Sequence, residues 1–126
     1  QRGETVHLAA DGYIGKSGRE LEFCGRRRFF NQGFPEMAEA SGAVILPVFA
    51  PFREDGRLRI EFLEPLNPGP GGLDRAERAM RLLDAYVRIL EHRWASDPGN
   101  ILAGHLNRFS RLEPAVPERQ PVGSSR

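Results

Sequence analysis

The stretch that decides the fold runs from residue 73 to residue 94 and reads LDRAERAMRLLDAYVRILEHRW. Its apolar side chains recur at spacings of three, four and seven residues, which is the pattern of one buried helix face. The stripe consists of Ala76, Met80, Leu83, Val87, Leu90 and Trp94. Because Asp97-Pro98-Gly99 ends the pattern, we predict one long amphipathic helix that packs its stripe on a sheet.

Two segments before this helix predict strands. Residues 43–49 (AVILPVF) form the clearest buried strand, and Pro47 belongs at its end, at a bulge or at an edge because proline cannot donate a ladder hydrogen bond. Residues 57–64 (RLRIEFLE) alternate at first between polar and apolar types, which predicts an edge strand with one wet face. Glu54-Asp55-Gly56 supplies the turn between the two segments.

The first third of the chain adds two shorter predicted strands. Residues 5–10 (TVHLAA) are mostly apolar and predict a buried strand, which ends at the glycine-punctuated loop 11–15 (DGYIG). Residues 21–24 alternate and predict a short strand that Gly25 breaks. We expect Cys24, which has no partner cysteine and no C-x-x-C spacing, to be a buried small hydrophobic residue.

Two short helices complete the predicted elements. Residues 34–41 predict the first, because Pro35 suits its first turn and Gly42 suits its C-terminal stop. Residues 101–109 predict the second.

The order strand, short helix, strand, strand, long helix predicts an α/β fold. Its simplest topology is a parallel strand-helix-strand unit followed by an antiparallel edge strand, which gives a mixed sheet flanked by helices. We assign residues 1–110 to this domain. Residues 111–126 are rich in Pro, Ser and Arg, and we expect them to form a flexible tail.

Composition excludes several classes of protein. The 126 residues carry a net charge of +1, which argues against a general nucleic-acid binder. The longest apolar run, residues 43–51, is far below the ~20 residues that a membrane span needs. A single cysteine excludes a disulfide scaffold within the chain. No spacing of metal ligands is present, so we predict no metal and no cofactor.

Asp11 is the first candidate functional residue. It follows the carboxyl end of the predicted strand 5–10, which is where ligands bind in open α/β sheets. Gly12 and Gly15 would let the backbone approach a ligand closely, although an Asx-type turn explains the same pattern. A His7–Asp11 dyad fails on geometry, because four residues of strand span roughly 13 Å while such a pair needs contact at about 3 Å.

The run Arg26-Arg27-Arg28 is the second candidate site, and it precedes Phe29 and Phe30. Guanidinium groups hold phosphate bidentately, and phenylalanine side chains can enter an apolar phase. Anionic lipid, a phosphopantetheine-type donor and nucleic acid all fit this pattern, and so does a solvated turn.

Four blocks follow one another in a specific order: residues 3–15 (GETVHLAADGYIG), 23–25 (FCG), 33–49 (GFPEMAEASGAVILPVF) and 98–109 (PGNILAGHLNRF). This order resembles that of the lipid A biosynthesis (late) acyltransferase family, which belongs to the glycerolipid acyltransferase superfamily. The resemblance covers roughly residues 3–109. The sequence departs from the family pattern at Cys24, which replaces an aromatic residue, and in lacking an aromatic residue between Pro98 and His105.

The resemblance implies that the chain is the C-terminal part of an acyltransferase, because the catalytic His-x4-Asp/Glu motif of the family is absent and would lie upstream. The whole enzyme would move a fatty acyl chain from the co-substrate, acyl carrier protein or coenzyme A thioester, to a lipid or glycolipid hydroxyl. It would act at the cytoplasmic face of the inner membrane, on an anionic surface, with no cofactor and no nucleic acid.

The resemblance also implies roles for single residues. Asp11 would support catalysis from the wall of the site, near Gly12, Gly15 and the strand end at Pro47. Arg26, Arg27 and Arg28 would face the phosphates of the donor or anionic lipid head groups.

Two alternatives remain open: a non-enzymatic α/β binding module whose Arg-Phe patch binds a phosphorylated or anionic partner, and an inactive acyltransferase-like subunit. We do not expect any of the three histidines to act as a base. We interpret His7 as a residue on a sheet face, His92 as a solvated residue and His105 as a structural hydrogen-bonding residue. We therefore expect the chain alone to be inactive in acyl transfer. We also expect it to expose a sheet edge and an apolar face.

Overall fold

The computed structural model describes residues 3–10 and 18–115. The elements are β1 (Gly18–Phe23), β2 (Arg26–Asn31), α1 (Gly33–Ser41), β3 (Val48–Phe49), β4 (Glu61–Phe62), α2 (Arg75–Ser96), a 3-10 turn (Pro98–Asn100) and α3 (Ala103–Ser110). β1 pairs with β2 and β3 with β4, both antiparallel. The α/β class is confirmed at this coarse level. Within the described ranges, however, two small antiparallel sheets take the place of the single mixed sheet that we expected.

The long helix α2 confirms the prediction for residues 73–94, and a capping box fixes its start. The carboxylate of Asp74 accepts a hydrogen bond from the Glu77 amide at 2.8 Å, and the Glu77 side chain accepts one from the Asp74 amide at 3.3 Å. These two bonds satisfy amide donors that a helix N-terminus otherwise leaves unpaired. The helix ends at Ser96, immediately before Asp97-Pro98-Gly99.

The buried face of α2 is wider than the predicted stripe. Leu83, Val87 and Leu90 are buried as expected, but Ala76 is exposed, and the neighbouring row of Ala79 and Leu82 is buried instead. One row contacts β1 and β2, and the other packs against α1. The helix therefore covers two apolar clusters rather than one sheet.

The sequence predicted only the first strand of the β1–β2 hairpin. Cys24 and Gly25 both have positive φ, at 49° and 78°, which is the pattern of a two-residue type I′ turn. The residues after this turn pair with β1 as β2, so the arginine run lies in a strand and not in a turn. Cys24 is exposed at the tip, which shows that the prediction of a buried thiol is wrong.

The second hairpin pairs part of residues 43–49 with part of 57–64 in the antiparallel sense, but the prediction of a buried strand over 43–49 is wrong, because Val44, Leu46 and Val48 are exposed. Val48 pairs with Phe62, and Phe52 bridges to Leu58 in the same register. Regular pairing is nevertheless confined to two residues on each side. The carbonyls of Pro47 and Pro51 accept hydrogen bonds from the amides of Leu63 and Arg59. Because proline has no amide hydrogen, neither position can donate the return bond that would extend the ladder. Pro47 thus stands at the end of β3, as predicted.

Residues 5–10 do not form the predicted buried strand. Val6 and Leu8 are 69% and 54% exposed. A strand requires a neighbour that completes its ladder of hydrogen bonds, and none of the described strands lies beside this segment. The predicted parallel unit is therefore absent from the part of the chain that the structure describes.

The chain after α3 is tied to the β1–β2 hairpin. The Arg27 amide donates to the Glu113 carbonyl at 2.8 Å, and the Ala115 amide donates to the Gly25 carbonyl at 3.0 Å. The first residues of the segment that we expected to be a flexible tail are thus held by backbone hydrogen bonds. Residues 116–126 lie outside the described ranges.

Replacement of Leu83 by alanine tests whether α2 is the central packing element. Leu83 is 1% exposed, so Leu83→Ala should lower the free energy of unfolding by about 2–5 kcal/mol through lost burial and a residual cavity. Leu8→Ala is the matched control, because Leu8 is 54% exposed and should change stability by no more than about 0.5 kcal/mol. Equal effects of the two changes in urea-induced unfolding would contradict this packing.

Candidate functional site

Three of the predicted site residues lie outside the described ranges. Asp11, Gly12 and Gly15 fall between residues 10 and 18, in the stretch that the sequence predicts to be a loop. Their proposed contact with a substrate therefore stays a prediction.

The three consecutive arginines occupy three different environments. Arg27 points to the opposite face from Arg26 and Arg28, because successive side chains of a strand alternate between faces. Arg28 is fully buried, Arg26 is partly buried, and Arg27 is exposed. The structure therefore does not bring the three guanidinium groups together at one surface.

Arg28 lies within an aromatic cage in the core. Its guanidinium carbon lies 5.0 Å from the ring centroid of Phe23, 4.5 Å from that of Phe30 and 5.6 Å from that of Trp94. Such contacts are cation–π interactions, which gain strength where water is excluded. Arg28 cannot reach a phosphate in solvent from this position.

Arg26 holds the C-terminal segment against the hairpin. Its Nη1 donates to the carbonyls of Ser110 and Leu112 at 3.2 and 2.8 Å, and its guanidinium lies 5.2 Å from the ring centroid of Phe109. Arg27 is the only exposed member of the run, and it pairs across the hairpin with Glu22. The Glu22 carboxylate opposite Arg27 offsets part of the positive charge that would attract a phosphate.

Pro47 is a core residue rather than a lining residue of a cleft. It is buried, and its carbonyl accepts a hydrogen bond from the Leu63 amide at 2.9 Å. The segment that follows, Phe49 to Pro51, is the part that reaches a cleft.

A cleft of about 140 Å³ lies between this segment, the end of α2 and the start of α3. Its lining residues are Phe49, Ala50, Pro51, Leu90, Arg93, Trp94, Asp97, Asn100, Ile101, Leu102 and His105. One wall is aromatic and the other polar. The volume is well below the ~300 Å³ of an ordinary small-molecule site, so the cleft can hold only a group of a few atoms.

The polar wall of the cleft is organised by Asn100. Its Oδ1 accepts from the Phe52 amide at 2.7 Å, and its Nδ2 donates to the Phe52 carbonyl at 3.2 Å and to the Asp97 carboxylate at 2.8 Å. Beside it, Arg93 forms an ion pair with Glu61 and lies 4.7 Å from the ring centroid of Phe49. These bonds join the second hairpin to the end of α2.

Sequence reasoning did not group the residues of this cleft. Asp97 and His105 are eight positions apart on two different elements, and no helical or strand period connects them. The turn residues at 97–100, followed by a short amphipathic segment, indicate only that the chain reverses there. The residues of the cleft are thus brought together only by tertiary packing.

Neither a metal nor a membrane span is indicated by the described residues. They contain no group of three His, Cys, Asp or Glu side chains that could hold a metal ion. No helix among them combines the length and apolar character needed to cross a bilayer.

Cys24 is a poor nucleophile in this setting. Partial burial, and then the carboxylate of Glu91, raise the pKa of the Cys24 thiol above its ordinary value, and Arg28 and Arg88 offset part of that rise. The Glu91 carboxylate also accepts a hydrogen bond from the Cys24 backbone amide at 2.8 Å. Because the thiolate is the reactive form, the thiol is held in its less reactive state near neutral pH.

Comparison with known proteins gives no relative. No family model, curated protein or solved structure matches this chain. A function therefore has to be inferred from the residues and geometry of the chain itself.

Replacing Arg28 by lysine tests the aromatic cage. Lysine keeps the charge but lacks the planar group that stacks on rings, so Arg28→Lys should lower the free energy of unfolding by about 1–3 kcal/mol. Arg27→Lys is the control, and its exposed side chain should leave stability within about 0.5 kcal/mol. An unchanged melting transition in Arg28→Lys would show that the cage contributes nothing to the fold.

Removing one negative charge tests the state of Cys24. Glu91→Gln keeps an oxygen that can accept the Cys24 amide but eliminates a charge that raises the pKa of the thiol. The thiolate fraction at pH 8 should rise, and alkylation by iodoacetamide should become faster. Glu20→Gln, on the exposed side of β1, should not change the rate. A slower or equal rate in Glu91→Gln would contradict the electrostatic argument.

Proposed function

We propose that this chain is part of an acyltransferase domain of the lipid A late acyltransferase type. The complete enzyme moves a fatty acyl chain from acyl carrier protein or coenzyme A to a lipid or glycolipid hydroxyl. The support is the order of four sequence blocks, together with the way the longest of them folds.

The block 33–49 is the observation that carries the proposal. Gly42 ends α1 with a φ of 72°, and Ala38 within the helix is buried against α2. Pro47 then begins the paired part of the second hairpin. Each of these three residues belongs to the pattern that resembles the family, and each has a structural reason to be that residue type.

Blocks that are distant in the sequence also meet in the structure. The ring of Phe109, at the end of block 98–109, lies 6.1 Å from that of Phe23, in block 23–25, and 5.4 Å from that of Trp94. These rings adopt edge-to-face geometry, which stabilises aromatic clusters. Blocks 23–25 and 98–109 therefore belong to one packed unit, whereas residues 3–9 of block 3–15 are exposed.

Within the proposed enzyme, His7 and His92 are not the catalytic base. A base needs contact with the acceptor hydroxyl at hydrogen-bond distance, usually from a protected site. His7 lies in an exposed segment and His92 on the exposed side of α2. The base would come from a His-x4-Asp/Glu motif in another segment, and Asp11 would support it.

The arginine run contributes less to substrate binding in this proposal than its sequence suggests. Arg27 is the only one of the three whose side chain is exposed, so it alone would contact a donor phosphate directly. The alternative of a binding module depends on an exposed Arg-Phe patch. Because Arg28 and Phe30 are fully buried, no observation favours that alternative.

Acyl transfer by the complete gene product tests the proposal. Labelled acyl carrier protein and acyl coenzyme A would be supplied with a lipid acceptor, and transfer should be observed with one of the two donors. Asp11→Asn should reduce transfer at least about tenfold without lowering the melting temperature, since loss of one well-placed acid–base or polar group typically costs that much or more. Asp55→Asn, at the exposed turn of the second hairpin, should leave activity unchanged.

Two outcomes would contradict parts of this proposal. Absence of transfer from either donor in the folded complete product would remove the acyltransferase assignment, and full activity of Asp11→Asn would remove Asp11 from the site. The 126-residue chain alone should be inactive. Turnover by it that disappears on His105→Ala would show that the base lies in this chain.

A further inference from the structure

One face of the second hairpin is apolar and uncovered in the structure. Seven large apolar side chains, each between 45% and 72% exposed, share this face. They are Val44, Leu46, Val48, Phe52, Leu58, Ile60 and Phe62. We call this set the outer apolar face.

The strand register explains why Val48, Phe52, Leu58 and Phe62 share one side, and Val44, Leu46 and Ile60 lie at alternate positions of the adjoining segments. Val48 stands opposite Phe62 and Phe52 opposite Leu58, and residues two apart on a strand point to the same face. The residues between them turn inward, where Ile45 and Phe49 pack against the clusters on α2. The hairpin is therefore covered on its inner face only.

The size of the outer apolar face is what an interface needs. Side chains of this size and exposure present on the order of 700 Å² of apolar surface, against roughly 300–600 Å² for the largest patch on a typical monomer. A stable protein–protein interface buries about 800 Å² on each partner. The face is thus large enough to be most of one side of a dimer.

The charges around the face argue for a neutral partner. Residues 53–64 carry three arginines and four acidic residues, and two of the arginines form ion pairs within the hairpin: Arg57 with Asp55, and Arg59 with Glu61. A surface that docks on anionic lipid instead carries an excess of basic residues around its apolar side chains. A second copy of the same face presents the same balanced rim and meets no net repulsion.

Two-fold symmetry suits such a face, because it is the commonest symmetry of protein dimers and lets one patch meet its own copy.

We propose that two copies of this chain associate through the outer apolar face as a two-fold dimer. The proposal goes beyond acyl transfer and does not depend on it. Lysine at a central position of the face would place a charge in an apolar interface, and because the position is exposed in the monomer the fold would be retained. Phe62, which is 69% exposed, is such a position, and its partner Val48 is another.

Sedimentation of the purified chain over a roughly hundredfold range of concentration tests the proposal, because a dimer dissociates on dilution. The wild-type chain should reach twice the monomer mass, and Phe62→Lys and Val48→Lys should each raise the dissociation constant at least about tenfold. Met37→Lys is the matched control: Met37 is 55% exposed on α1, outside the face, and should leave association unchanged. Circular dichroism should give the same spectrum for all four proteins.

Three results would overturn the proposal. The wild-type chain, or the complete gene product in which another segment of the same domain could cover the face, could remain monomeric over the whole range, or the dimer could persist in the double variant Val48→Lys/Phe62→Lys. The chain could also bind vesicles of phosphatidylglycerol as a monomer and lose that binding in Phe62→Lys, which would make the face a lipid surface.

Discussion

The contact between α2 and the β1–β2 hairpin is the interaction on which the rest of the structure depends. Phe23 and Phe30 are fully buried against Leu83, Val87 and Leu90. A two-stranded hairpin is at best marginally stable in water, so neither sheet of this chain could persist without an apolar surface to cover it. The helix supplies that surface to both hairpins at once, from two adjacent rows of its side chains. Loss of the helix would therefore remove the inner cover of both sheets together.

The same contact determines what the arginine run can do. Adjacent positions in the sequence suggested one cationic cluster, but a strand sends neighbouring side chains to opposite faces. Once residues 26–31 pair with β1, Arg28 is directed into the core, where the rings of Phe23, Phe30 and Trp94 surround it. Desolvation of a guanidinium is costly, and the electron-rich ring faces offset part of that cost. The run therefore contributes mainly to the fold.

The elements that were predicted from sequence are those whose determinants are local. The helices follow from apolar periodicity and from stop signals such as Gly42, and the turn at Glu54-Asp55-Gly56 follows from its residue types. Strands depend on partners, which local patterns do not specify; residues 5–10 have the composition of a buried strand but no described strand beside them. The cleft was missed for the same reason, since Phe49 and His105, which both line it, are distant in the sequence and come together only in three dimensions.

Trp94 connects the fold to the cleft. The Trp94 ring lies against the Arg28 guanidinium, and its centroid is 4.9 Å from that of Phe23. Trp94 also lines the cleft together with Phe49 and His105. A change that loosens the aromatic cage should therefore also alter the aromatic wall of the cleft, because packed side chains do not move independently. Loss of activity in such a variant would reflect the core as much as the chemistry. Stability must consequently be measured beside activity for any residue of the cage.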